Sequence, residues 1–524
     1  MRSAWVSLSD ELCRSYLDLR WHLDPAAATA AGVAALDGRL GHFDEVAVGE
    51  HLAALRAIEA GVEELEIEDT ADELDRTVLL DEVRATIFRL QFEQPHRRNP
   101  VFWLRHLGDA LHGLLPECDD RASAPVEPAL GRLRAVPGFL RDARSTLREP
   151  AAPLLDIARE LATPCRLLVR ELAAALGAAA GEARADLEAA ADEAVESLNE
   201  FAVALDTDFR AHADEHPPGI GAEEFERLLH HAHAIREGAS ELWRSVLHAE
   251  DDVIAELEAL GAPGWRKTVA FRLADATEAD PVATFQAELE QIAGFVAGIG
   301  LLPDQCGTPP VESLPAYLRP LTGYAHYRGA IASGTPAEAR IWIAPDPSVA
   351  AWASQLAAEF GIPGQHAMAE SAARASSEVR RRLGAWVSRG GWGLYAVDLL
   401  DDAGYWPDPE DRIMTRAHLL LRMLLARVDI GIHTRQLLPE EAEQLLTNAV
   451  PLHPARARAL VRECLLEPTR AIGTLVGRRE LLRLRAERRP RGGRERPVAE
   501  HHADVLAFGG TPSSLIRWGL GMEE

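Results

Sequence analysis

From Leu154 to Phe209 the chain is rich in Ala, Leu, Glu and Arg, with an apolar residue at every third or fourth position. That spacing is the period of an α-helix, and these residue types lose least on entering one. Pro164 is the only proline in the span, and Gly177 and Gly181 mark a break between two helices. Leu74 to Leu90, Ala222 to Gly238 and Ala239 to Leu260 carry the same pattern. Asp280-Pro281 opens a further helix that ends near Gly298-Ile-Gly300, with proline at its start and glycine at its end. A chain patterned this way folds as a mainly α body.

The Pro/Gly-rich segment 302–320 is the clearest boundary, dividing an N-terminal part, 1–300, from a C-terminal part, 301–524, within one continuous structural unit. Beyond it, Tyr324 to Arg328 and Arg340 to Ala344 are β-prone runs separated by Gly334-Thr-Pro, which reads as a hairpin. On the first run Tyr324 and His326 face one side and Tyr327 the other. The arginine-rich tract 478–496 contains Pro490-Arg-Gly-Gly, read as a solvated surface loop.

Composition excludes several classes. The net charge of −27 over 524 residues argues against nucleic acid, whose phosphates need a basic surface, and against an anionic membrane. Lys267 is the only lysine, and nothing near it reads as a Schiff-base site. Cys13, Cys118, Cys165, Cys306 and Cys464 are scattered, which argues against a disulfide framework or a structural zinc site. The N-terminus has no long apolar run, so a cytoplasmic location is expected.

Three motifs stand in order between Ala358 and His433. They are Glu359-Phe-Gly-Ile-Pro-Gly-Gln365-His366, Gly390-Gly-Trp-Gly-Leu-Tyr395 and Asp429-Ile-Gly-Ile-His433. The order resembles the bacterial domain-of-unknown-function family eight-eight-five, helical proteins similar to zinc carboxypeptidases. Asp24-Pro25 to Gly32, Asn99-Pro100, and His502, Leu506, Gly509 and Pro512 extend the resemblance over most of the chain, with His501 replacing a family Phe. The resemblance implies a large helical metallopeptidase-like body with a long cleft and a small β-hairpin or sheet beside it. It also implies a zinc site from His-Glu-Ala-x-Pro-Gly-His-His and Glu-Gly-Trp-x-Leu-Tyr. On this chain the zinc-ligand positions fall on Glu359, Gln365 and Gly390, and the general base on Phe360.

A catalytic zinc needs three ligands from His, Asp, Glu or Cys and a nearby base for its water. Of the matched positions only Glu359 can still bind metal well. A displaced site would use Glu359 with His366 or Glu370. The expectation is therefore a protein without metal or cofactor. Phenol and lysine positions of the family fall on Cys464, Thr474 and Leu475, so its oxyanion and carboxylate-binding groups are missing too. The family arginine falls on Leu425, with Arg427 on another helical face.

Polar groups remain. Asp429 and His433, four apart on a helix, share a face and can hydrogen-bond. With Tyr395 and His366 they can form a metal-free acid/base set, Asp429 orienting His433 and Tyr395 donating a proton. Alternatively, Asp429 and His433 lock helices together, and Trp392 and Tyr395 are core aromatics. Trp392, His502, Tyr324, His326 and Glu359 are the expected ligand-binding residues. His230 and His233 can form a metal pair, but no carboxylate pattern accompanies them. The reading that follows is a pseudo-peptidase binding a peptide or small molecule in the inherited cleft. Its rival is a metal-independent enzyme of specialised metabolism; a metallohydrolase with a relocated site ranks behind both.

Overall fold

Asp280 accepts hydrogen bonds from the amides of Val282 and Ala283, opening the helix Pro281–Ile299, and Gly300, at φ 60°, closes it. Both ends fall where the proline and glycine placed them. The computed structural model describes residues 8–67, 69–116, 125–261, 264–304, 306–329, 339–488 and 497–522. Within them the protein is mainly helical with a small sheet. The Ala/Leu/Glu/Arg span forms Ala152–Gly177 and Arg184–Ala204, broken at Gly181 with φ 53°. Thr70–Phe88 and Ala239–Gly261 match the periodic segments to within a turn.

One helix stops earlier than its pattern. Ala222–His233 ends where Ala234 turns left-handed, at φ 52°. The amides of Ala234 and Ile235 reach back to the carbonyls of His230 and Leu229 at 3.0 and 3.1 Å and satisfy the last turn. Alanine seldom takes that conformation, so the sequence carried no stop signal before Gly238.

The sheet has three strands: β1 (Val311–Ser313), β2 (Ala325–Arg328) and β3 (Arg340–Ile343). β2 and β3 pair antiparallel, Ala325 opposite Ile343 and Arg328 opposite Arg340, as the two β-prone runs implied. β1 pairs parallel with β3 on its other edge, giving the order β1-β3-β2. The Pro/Gly-rich stretch hid this strand, because three residues are too few to show alternation. Gly334-Thr-Pro, the Pro490-Arg-Gly-Gly loop and Cys118 lie outside the described residues.

Contacts group the chain into two units. The first comprises Met1–Leu65, Val83–Pro218 and Ala316–Pro320. Its core holds an edge-to-face cluster of Phe43, Trp103 and Phe139, and a fully buried Arg132 that donates to the carbonyls of Arg39, Pro25 and Ala110. The second comprises Glu66–Glu82, Gly219–Pro315 and Leu321–Glu524, and it contains every candidate site residue.

In the second unit the helix Pro409–Arg435 packs against Ala239–Gly261 and Arg470–Glu487. Phe225, Leu229, Leu242, Val246, Ile430 and Ile472 fill part of the space between them. Trp386–Asp402 meets Arg470–Glu487 backbone to backbone. A β-carbon on Gly477 would stand 1.9 Å from the Val387 carbonyl oxygen, so only glycine admits this approach. The approach brings Trp386 and Thr474 into contact.

Candidate functional site

Glu359 sits in the helix Ala353–Phe360, which continues from a 3-10 turn, Pro347–Trp352, capped by the Asp346 carboxylate on the Ser348 amide at 2.9 Å. Its side chain is 3% exposed and points at Pro409–Arg435. The Arg422 guanidinium donates to Glu359 Oε2 from Nη2 at 2.7 Å and from Nε at 3.1 Å. His418 Nε2 donates to the same oxygen at 2.8 Å. Burial alone would raise the Glu359 carboxyl; Arg422 and His418 outweigh it and hold the group below its ordinary value. The carboxylate that was the one good metal donor is thus taken by a cation of the chain itself.

Of the other two positions at which the resemblance implied ligands, 390 is filled. A β-carbon at Gly390 would lie 2.6 Å from Thr474 Oγ1 and 2.7 Å from Trp386 Nε1. Those two atoms hydrogen-bond to each other at 2.8 Å, so the space of a side chain at 390 is already filled. Gln365 is 1% exposed, and its Nε2 has no hydrogen-bond partner among the described residues. The displaced alternative fares no better. His366 Nε2 donates to the Gly307 carbonyl at 2.8 Å, its Nδ1 accepts from the Tyr327 hydroxyl at 3.1 Å, and Glu370 faces Arg374 at 3.5 Å. Among the described residues one set of His, Cys, Asp or Glu atoms converges as metal ligands do: His42, Asp44 and Asp142, in the first unit. The residues at the implied zinc position do not fit a metal ion.

Beside Glu359 lies a recess with a cavity volume of about 40 Å³. Phe360, Leu425 and Leu460 give it apolar walls, and Trp386, Arg470 and Thr474 a polar side.

Asp429 and His433 share a face of Pro409–Arg435 as expected, but they do not hydrogen-bond: the nearest atoms are 3.9 Å apart. Asp429 instead accepts from the amides of Thr469, Ala471 and Ile472 at 3.0, 3.1 and 3.2 Å, capping Arg470–Glu487. Burial pushes its carboxyl up to about 7 against the pull of those donors. His433 Nδ1 accepts from the Ile220 amide at 3.3 Å, which leaves the proton on Nε2, donated to the Cys464 carbonyl at 3.0 Å. Burial lowers its pKa to about 4. Both ring nitrogens are spent on backbone, so the expected orientation of His433 by Asp429 is replaced by two separate ties to neighbouring segments.

Tyr395, Trp392 and His502 form a buried ring cluster with centroids 5.5–6.0 Å apart. The Trp392 indole donates to the Pro363 carbonyl at 2.8 Å, beside a cis Ile362–Pro363 bond. Tyr395 donates to His502 Nε2 at 3.3 Å, and His502 Nδ1 donates to the Leu301 carbonyl at 2.8 Å. No hydrogen bond or ring contact links this cluster to His433, or His366 to either, among the described residues. The four acid/base candidates are therefore not brought together. Tyr324 lies buried under Arg456, and His326 stacks on Trp342 at 5.9 Å. Tyr327, on the opposite side of the strand, is the one that touches a candidate residue, His366. His233 is buried against Thr469, 3.0 Å away, rather than paired with His230.

Sequence reasoning missed Arg422, His418, Trp386, Arg389 and Arg470. A signal for the first two existed: 418, 422, 425, 429 and 433 fall at spacings of four and three, one stripe down a helix. Reading that stripe upward from Asp429 leads to Arg422, two turns away.

The described residues form a mainly helical body with a small three-stranded sheet. The chain belongs to the bacterial family of unknown function DUF885, whose model matches residues 25–519. Two solved structures share the fold. One is a candidate lipoprotein of unknown function from Shewanella oneidensis, 17% identical, TM-score 0.78, covering 99% of this chain and 100% of that one. Another is a candidate lipoprotein from Colwellia psychrerythraea, 15% identical, TM-score 0.79, covering 99% of each chain. No curated protein matches.

Proposed function

We propose that the protein is a metal-free binding protein on a peptidase-like scaffold, taking a small molecule in the recess beside Glu359. One observation carries the reading: the Arg422 guanidinium and the His418 imidazole both donate to the Glu359 carboxylate, so the site's cation is a side chain. The Trp386–Thr474 pair in the space of a side chain at 390 supports it. With its carboxylate engaged by Arg422 and His418, Glu359 is not available as a metal ligand or as a free base, which weighs against zinc-driven hydrolysis at this recess. The rival enzyme reading draws no support from His433, Asp429, Tyr395 and His366, whose polar atoms are spent on structure.

The acidic balance supports a partner that is neither nucleic acid nor an anionic membrane. No described helix is long and apolar enough to cross a membrane. A cytosolic location is part of this proposal; the lipoprotein descriptions of the two solved relatives weigh against it, and cell fractionation decides.

The test is elemental analysis of the mildly purified full chain, before and after dialysis against zinc, with a peptide-hydrolysis assay on the same samples. The expected result is less than a tenth of a zinc per chain (an order-of-magnitude threshold, ~0.1) and no chelator-sensitive hydrolysis. About one tightly held zinc per chain, lost in Glu359→Ala, would overturn the proposal.

A further inference from the structure

Two guanidinium groups pack on the ring of Trp386, and neither is hydrogen-bonded to a carboxylate among the described residues. The Arg470 Cζ lies 3.8 Å from the ring centroid and the Arg389 Cζ 4.7 Å. Arg389 stands one helical turn beyond Trp386; Arg470 opens the neighbouring helix. The carboxylate oxygens nearest Arg470 belong to Glu463 and Glu467, at 3.9 and 4.0 Å, too far for hydrogen bonds. Arg389 makes no hydrogen bond or ion pair among the described residues, and its Nε is buried without a partner.

Other arginines of the same unit show what the fold does elsewhere. Arg478 forks onto Asp398 at 2.6 and 2.8 Å, and Arg380 onto Asp75 at 2.6 and 3.1 Å. A guanidinium withdrawn from water is costly unless its donors are met, and its planar fork matches a carboxylate. Burial, reinforced by the neighbouring Arg470 charge, pulls the Arg389 guanidinium down to about 10. An anion beside Arg470 would also offset the unfavourable pairing of the two like charges.

The surroundings narrow the anion. Trp386, Arg470 and Thr474 line the recess, whose opposite walls are Phe360, Leu425 and Leu460. Its narrow interior admits a few heavy atoms. Glu463 and Glu467 stand close enough to Arg470 to repel a second negative charge, which disfavours a phosphate dianion.

We propose that Arg470, packed on Trp386 with Arg389 adding its charge nearby, binds the carboxylate of a small monocarboxylic acid whose short apolar tail lies against Phe360, Leu425 and Leu460. This rests on the metal-free reading of the recess, since Arg422 and Trp386 must stay where they are.

The test is calorimetric titration of the full chain with 3-methylbutanoate, with its neutral isostere 3-methylbutanamide, and with inorganic phosphate. The acid should bind, and the amide and phosphate should bind roughly 10-fold more weakly or not at all. Arg470→Gln should weaken the acid by roughly 10-fold or more and Arg389→Gln, which removes only a neighbouring charge, by less, with thermal melts confirming that the variants fold. Arg166→Gln, at an exposed contact with Thr163 on a first-unit helix, should leave binding unchanged. If a variant fails to fold, the acid-against-amide comparison on the unaltered chain still decides. Equal affinity for acid and amide, equal affinity for phosphate, no heat with the acid up to tens of millimolar, or undiminished binding in Arg470→Gln would each overturn the proposal. Zinc content measured on the same preparation separates the readings. Zinc that is lost in Glu359→Ala overturns the proposed function, whereas a chain without such zinc that is indifferent to the acid overturns this inference alone.

Discussion

Arg422 reaches across from the Pro409–Arg435 helix and places Nη2 2.7 Å from the carboxylate of Glu359, itself 3% exposed. A buried carboxylate needs a positive partner, and in this fold the partner is supplied by the chain. Arg422→Leu should therefore destabilise the protein by about 3–5 kcal/mol, since Glu359 cannot reach water. Glu359→Gln should cost less, because the Arg422 side chain remains 17% exposed and can turn outward. The double change Glu359→Leu, Arg422→Leu should cost less than Arg422→Leu alone. Urea denaturation of all the variants checks the order; a double change as harmful as the sum of its parts would refute the pairing argument.

Gly390→Ala should also be destabilising, by about 1–3 kcal/mol, because the new methyl meets the Trp386 indole and the Thr474 hydroxyl. By the same contact, the quadruple change Glu359→His, Phe360→Glu, Gln365→His, Gly390→Glu should not bind zinc. Adding Trp386→Ala opens the room for a glutamate at 390. Equilibrium dialysis against zinc checks both; stoichiometric metal in the quadruple variant would show that Trp386 moves aside freely.

His433→Gln should lower stability by about 1–3 kcal/mol through the loss of its ties to the Ile220 amide and the Cys464 carbonyl. Ligand affinity of the folded fraction should be unchanged. Asp429→Ala should act more strongly, because it uncovers the amides that open Arg470–Glu487. Thermal melts beside titrations make the distinction: affinity falling with stability intact would mark His433 as part of the binding machinery.

Acid should weaken the fold through its histidines. His366, His433 and His502 are each lowered to about 4, first by burial, from an ordinary 6.5. Between those values the unfolded chain takes up protons that the folded chain refuses. The stability they contribute is complete above pH 6.5 and is lost as pH falls toward 4. Imidazole carbon shifts followed by NMR should show these rings neutral at about pH 5. Titration near the ordinary value would contradict their burial.

The helices were legible in the sequence because their signals are local: period, proline, glycine and cap lie within a few residues of each other. Asp280 and Gly300 illustrate this, each acting on its own turn. β1 was not legible, since its pairing with β3 joins segments about thirty residues apart through backbone groups that all residues share. At the site, the residue types that stand where the resemblance implied zinc ligands, Glu359, Gln365 and Gly390, could be read directly. What packs around them could not. Trp386 fills the Gly390 space only because Gly391 and Gly477 let two helices touch, and Arg422 finds Glu359 only across a helix interface. Asp429 and His433 were rightly placed on one face, yet a shared face does not say whether two side chains turn toward each other or toward a third segment.

The stripe His418, Arg422, Asp429 and His433 ties one helix to Glu359, to the amides at 469–472 and to the Cys464 carbonyl. A slide of one residue, about 1.5 Å of rise, would put every one of these bonds out of register. The helix therefore has a single axial position, fixed at three levels like a shaft held by several keys. Ligand entry cannot use it as a piston. The freedom left at the recess lies in side chains such as Trp386 and Arg470, so its response is a change of rotamer rather than a helix rearrangement.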